Sequence, residues 1–175
     1  MTQPVAQQQP VAQPVDLRVP ISDALVMLGG VLILGFSFAP FMSYQPVTRN
    51  SSAVEYSAWE WTGFLAPLTW FVVVGGLLLL ALGLSRALNG DRSLLTFRTS
   101  QLQLVVAAYA ASVLIGYALA EKSSETATSA EFLGARIQVG ATTAGEFGWG
   151  GVLMLIGALV AVVGAVMNLL ARSQR

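Results

Sequence analysis

The chain contains no cysteine and no histidine. These absences exclude disulfides, thiolate nucleophiles, the usual thiolate and imidazole zinc sites, and the commonest general base near neutral pH. Charge is scarce as well. Only 10% of the 175 residues are charged, against about 25% in ordinary soluble domains. Nine Lys/Arg balance nine Asp/Glu, so no net basic field points to nucleic acid. No phosphate-cradling glycine loop, no Gly-x-Ser-x-Gly elbow and no calcium-loop spacing occurs. No cofactor and no metal site is implied, and Asn50-Ser51-Ser52 is a sequon too short to carry weight.

What fills the chain instead is apolar sequence, 55% of it. Four uncharged stretches stand out, at about Ala24–Met42, Trp61–Leu84, Leu102–Ala120 and Gly148–Leu170. Roughly 20 helical residues cross a hydrocarbon layer near 30 Å thick. Lipid compels internal backbone pairing, so such runs read as helices. The fold class expected is all-α: a four-helix transmembrane bundle formed by residues 22–175, behind a disordered Gln/Pro-rich tail of residues 1–21. Pro-Val-Ala-Gln occurs twice in that tail, at Pro4–Gln7 and Pro10–Gln13, and such composition buries too little to offset its ordering entropy. It has neither the basic start nor the apolar segment of a signal peptide.

Positive charge orients the spans. With the N-terminus in the cytoplasm, inner segments hold Arg18, Arg86, Arg92, Arg98, Arg172 and Arg175, and outer loops hold Arg49, Lys122 and Arg136. Six against three places both termini inside. Arg86, Arg92 and Arg98 are also candidates for contact with anionic lipid. Ser22 and Asp23 are expected to cap the first helix, and Asn89-Gly90-Asp91 to form a tight inner turn with Gly90 at positive φ. In the second outer loop, Phe132–Val139 partly alternates, as a short strand or hairpin would. A repeat is also visible: Glu60 to Arg86 and Glu146 to Arg172 each span 26 residues around a helix.

Candidate packing residues form two small-residue stripes, Ala108, Ser112, Gly116 and Ala120 on span three and Gly157, Ala161 and Ala165 on span four. Such stripes let helix backbones approach closely, and spans three and four are expected to meet along them. Polar groups at membrane depth are Ser37, Thr69, Tyr109, Ser112, Tyr117 and Asn168, with Asn168 reaching the headgroups. None is ionisable at physiological pH, and an intramembrane acid or base is the usual mark of a proton or ion pathway. Span one has no acid between Asp23 and Glu55, unlike the first helix of small four-span multidrug exporters. The helices are therefore expected to be held by van der Waals fit, without a buried ion. Tyr44, Trp59, Trp61 and Trp149 read as an interfacial aromatic belt. Glu60 and Glu146 form a candidate outer acidic pair, the alternative being carboxylates placed favourably at helix N-termini.

The run Ser22–Tyr44, with Gly29-Gly30 and then Phe36-Ser37-Phe38-Ala39-Pro40-Phe41, resembles small four-span membrane proteins common in actinobacteria. In those, a helix starting with Asp and ending in Phe-x-Pro-aromatic leads into an outer loop. Gly148–Arg172 is similar to their last span. The resemblance implies a four-span fold and a bacterial cytoplasmic (inner) membrane, and no activity. Tetraspanin and claudin-like families share the span count, but their outer loops depend on cysteines that this chain lacks.

Three functional readings follow. The first is a non-enzymatic accessory or scaffold protein of a larger cell-envelope complex. Its partners would be membrane lipid and other membrane proteins or further copies of itself. The second is a small oligomeric transporter or channel, which needs Ser37, Thr69, Tyr109 or Tyr117 on a shared aqueous path. The third, an enzyme, requires Glu60 and Glu146 to converge within about 5–9 Å.

Overall fold

The structure, a computed structural model, describes residues 19–44, 54–60, 68–94, 96–120, 123–124, 128–132, 135–139 and 143–173. In chain order its elements are α1 (Ile21–Phe36), β1 (Pro40–Tyr44), β2 (Val54–Ser57), α2 (Leu68–Asn89), β3 (Ser93–Leu94), β4 (Phe97–Arg98), α3 (Thr99–Leu119), β5 (Ser123–Ser124), β6 (Thr128–Phe132), β7 (Ala135–Val139), β8 (Thr143–Phe147) and α4 (Trp149–Ser173). The molecule is mostly helical. The helices run up and down, with α1 and α3 each packed between α2 and α4. One end of the bundle carries the start of α1, the end of α4 and the β3–β4 hairpin; the other carries the remaining strands. These are its terminal end and its sheet end.

Helices α2, α3 and the Trp149–Ala171 part of α4 are long and apolar enough to cross a membrane. Helix α1 has 16 residues, about 24 Å at 1.5 Å per residue. The apolar stretch Ala24–Met42, expected as one span, divides after Phe36. Pro40 has no N–H to offer the carbonyl of Phe36, and its ring clashes with a continuing helix. The last turn tightens instead, with Ser37 N donating to Leu34 O at 3.4 Å and Ala39 N to Phe36 O at 3.1 Å. Residues 40–44 then become a strand.

That strand is the chief departure from the expected all-α architecture. A four-stranded sheet in the order β2-β1-β8-β5 closes the sheet end. β1 pairs antiparallel with β2 on one side and with β8 on the other, so Ser43 stands opposite both Glu55 and Glu146. Pairing on both sides satisfies the backbone of this apolar segment as a helix would have done. The side chains of Phe41 and Met42 are fully buried. Phe41 meets the Tyr117 ring of α3 edge-on at 5.4 Å and that of Phe147 at 5.3 Å, so the sheet is docked on the bundle. β6 and β7 pair as a hairpin with Phe132 opposite Ala135, extending the strand expected around residues 132–139.

Other boundaries differ for local reasons. α1 starts on Pro20, whose carbonyl accepts from Asp23 N and Ala24 N, both at 3.0 Å. No side chain caps it, so neither Ser22 nor Asp23 plays the expected capping role. α2 continues past Leu84 to Asn89; residues 61–67 of the stretch expected there lie outside the described residues, as does the tail up to residue 18. Gly90 ends α2 at φ 73°, its N–H reaching Arg86 O at 2.8 Å, an αL termination that suits a residue without Cβ. Asp91 then accepts from Ser100 N and Ser100 Oγ, both at 3.2 Å. The short connection thus caps α3 with a carboxylate at its positive end.

Helix α1 is held through adjacent glycines that serve different neighbours. A Cβ on Gly29 would strike the Gly157 carbonyl and Ala161 of α4; one on Gly30 would meet Gly76 O of α2 at 2.7 Å. Gly157, Ala161 and Ala165 are buried, and the first two meet α1 at Gly29. On α3 the expected stripe is turned the other way. Ala108, Ser112, Gly116 and Ala120 are all exposed, and the buried face carries Gln103, Ala107, Ala110, Ala111, Leu114 and Tyr117. An alanine-rich helix offers small residues on several faces, so size alone did not select the packed one. Ser112 Oγ bonds back to Ala108 O at 2.8 Å.

Candidate functional site

Four polar side chains, one from each helix, converge near the terminal end of the bundle. Asp23 lies two residues inside α1, Arg86 three from the end of α2, Gln103 four inside α3, and Asn168 five from the end of α4. At about 1.5 Å per residue, all four sit within roughly 8 Å of their helix ends. Asp23 is 1% exposed, Gln103 0% and Asn168 2%, whereas the Arg86 side chain retains 16%.

Their bonds form one chain. Arg86 Nη1 and Asn168 Nδ2 both donate to Asp23 Oδ1, at 2.9 and 2.8 Å. Asn168 Nδ2 also donates to Gln103 Oε1 at 3.0 Å. Two expectations are overturned here. The bundle does hold a buried ion pair, because Asp23 turns inward once Pro20 has supplied the helix start. Asn168 does not reach outward to headgroups; it bridges a carboxylate and an amide inside. Arg86 likewise turns to Asp23, leaving Arg92 and Arg98 as the exposed members of the arginine trio.

Sequence reasoning missed Gln103 entirely. The signal available was its spacing: Gln103, Ala107, Ala110, Leu114 and Tyr117 follow one another by four, three, four and three residues, the period of a single helix face. Below Gln103 on that face lie Thr99 and Ser100, both buried. Their hydroxyls donate to Arg92 O at 2.9 Å and to Asp91 Oδ2 at 3.2 Å.

The sheet end carries the ring pairs and the bonded tryptophans. Trp59 Nε1 donates to Ser37 Oγ at 2.8 Å, and Ser37 Oγ donates to Leu34 O at 2.6 Å. The Trp59 ring stacks on Phe38 at 5.5 Å, and its carbonyl accepts from Trp70 Nε1 at 3.2 Å. Trp149 meets Phe36 edge-on at 6.0 Å. Trp61 and the side chain of Tyr44 lie outside the described residues. Trp59→Phe keeps the stacking and removes the Ser37 bond. It is expected to lower stability in detergent by about 1 kcal/mol, measured by thermal unfolding; an unchanged transition would show that water replaces the bond at no cost.

Glu60 is engaged locally. Its Oε1 accepts from Ser57 N at 3.3 Å and Ser57 Oγ at 3.4 Å, and its own N–H donates to Ser57 O at 3.3 Å. This closes the end of the edge strand β2. Glu146 sits in β8 across Ser43 from Glu55, so Glu55 shares its row. Two strand spacings set those Cα atoms about 10 Å apart. Among the described residues no three acidic side chains gather to hold a metal ion. Among the described residues, grooves of about 250 and 290 Å³ open on the bundle surface. Leu25, Ile156, Leu159, Val160 and Val163 line one, and Leu68, Val113, Gly116, Tyr117 and Ala120 the other. Both walls are almost wholly apolar.

Comparison with protein-family models, with curated proteins and with solved structures found no match.

Proposed function

We propose that this chain is a non-enzymatic integral membrane accessory or scaffold protein of the bacterial cytoplasmic membrane. It crosses four times with both termini in the cytoplasm, and it assembles or regulates a larger cell-envelope complex. The observation that carries this reading is how the interior polar groups are used: Asp23, Arg86, Asn168 and Gln103 tie four helices to one another. A polar cluster of this kind fixes which helices meet and in what register. The docked sheet supports the same reading, since it builds a shaped platform from both outer loops.

The alternative, an oligomeric transporter or channel, draws on one feature. Tyr109 lies midway along α3 on the outward face beside Ser112, where a second copy would share it. Purification in mild detergent with identification of what travels with the protein separates the two. A stoichiometric complex with another membrane protein is expected; a lone monomer overturns the scaffold reading, and a closed ring of identical copies favours the channel. A reporter fused after Arg175 is expected to be active only in the cytoplasm.

A further inference from the structure

We infer that the four-helix cluster binds a water molecule at Gln103 Nε2, reached from the terminal end of the bundle. The argument starts from the carboxylate. Asp23 Oδ1 accepts from Asn168 at 2.8 Å, so the Asn168 atom facing it is the amide nitrogen. That same nitrogen stands 3.0 Å from Gln103, so the Gln103 atom facing it is the carbonyl oxygen. The remaining arm of Gln103 is therefore its NH₂ group. Turning the Gln103 amide over would set two NH₂ groups against each other. Turning both amides would press the Asn168 carbonyl against a carboxylate. The orientation is thus dictated by the charge on Asp23.

Gln103 Nε2 has no acceptor among the described residues, although the residue is fully buried. A donor left in that condition costs about 1–3 kcal/mol. The occupant that removes the cost must offer an acceptor and tolerate a carboxylate close by. A metal cation is repelled by the N–H groups, and an anion by Asp23. Water meets both demands, and it needs two to four polar partners. The candidate partners are the buried hydroxyls of Ser100 and Thr99, one turn before Gln103 on the same face of α3, each of which donates its proton elsewhere and can still accept. They continue to Asp91 and Arg92 at the exposed connection, which makes a polar lane to the end of the bundle. Partly exposed Arg86 stands at the other flank.

The test uses the full chain, ¹⁵N-labelled, in vesicles of phosphatidylcholine and phosphatidylglycerol. Water-edited solid-state NMR measures how fast magnetisation passes from water to each N–H. The Gln103 side-chain amide, assigned by its loss in Gln103→Met, is expected to build up as fast as exposed amides of the β3–β4 hairpin. Build-up as slow as that of the buried Ala110 amide overturns the inference. Should Gln103→Met fail to fold, a map of the unaltered protein that resolves ordered water decides instead. Density is expected at about 2.7–3.2 Å from Nε2; a dry amide, or a tail segment lying against it, refutes the site.

Discussion

Asp23→Leu is expected to destabilise the bundle by about 3 kcal/mol, the lower part of the range for breaking a buried ion pair. The loss has two sources. The guanidinium of Arg86 is left without its counter-charge, and the Asn168 amide loses the acceptor that orients it. The 16% of the Arg86 side chain that remains exposed gives the cation a partial escape toward the terminal end, which keeps the figure from rising further. Asp23→Leu combined with Arg86→Met is expected to recover much of the loss, since removing both charges also removes their desolvation cost. Unfolding followed by tryptophan fluorescence in mild detergent reads both. A single variant as stable as the parent would mean that the ion pair holds nothing together.

The second large effect concerns the α1–α4 contact. Gly29→Leu is expected to cost about 3 kcal/mol or to prevent folding, at the upper end for overpacking. The first atom in the way is the backbone carbonyl of Gly157, and Ala161 stands behind it with Cβ at 2.6 Å and N at 2.9 Å. Backbone of a packed helix cannot step aside as a flexible side chain would. Gly35→Ala and Gly116→Ala serve as controls, because nothing lies within 4 Å of a Cβ at either position. Both are expected to match or slightly exceed the parent, as alanine is the better helix former. Equal behaviour of all three variants would show that α1 and α4 are not held in close backbone contact.

Hydropathy sufficed for the helices because burial from water acts on every residue of a long apolar run. It located four of them within a few residues at most ends, and the Gly90 turn followed from the conformational freedom of glycine. Hydropathy did not reveal where α1 stops. Ser37–Met42 is as free of charge as Ala24–Phe36 before it, and what ends the helix is the missing N–H of one proline. Nor did it reveal the sheet, whose pairing joins β1 to a strand a hundred residues later. The polar cluster escaped for a related reason. Asp23, Arg86, Gln103 and Asn168 each sit near a stretch boundary, where a polar side chain reads as a cap or an anchor. Only the packing of four helices brings them to one point.

The shortness of α1 has a consequence for the surrounding lipid. In the proposed four-crossing arrangement, a rod of about 24 Å stands beside rods of about 31–38 Å. Acyl chains touching its outward residues Leu28 and Val31 meet a shallower wall than those along α3. The bilayer compresses on that flank or the protein leans to even the difference. Either response favours thin-membrane surroundings and gives the two sides of the molecule unequal company.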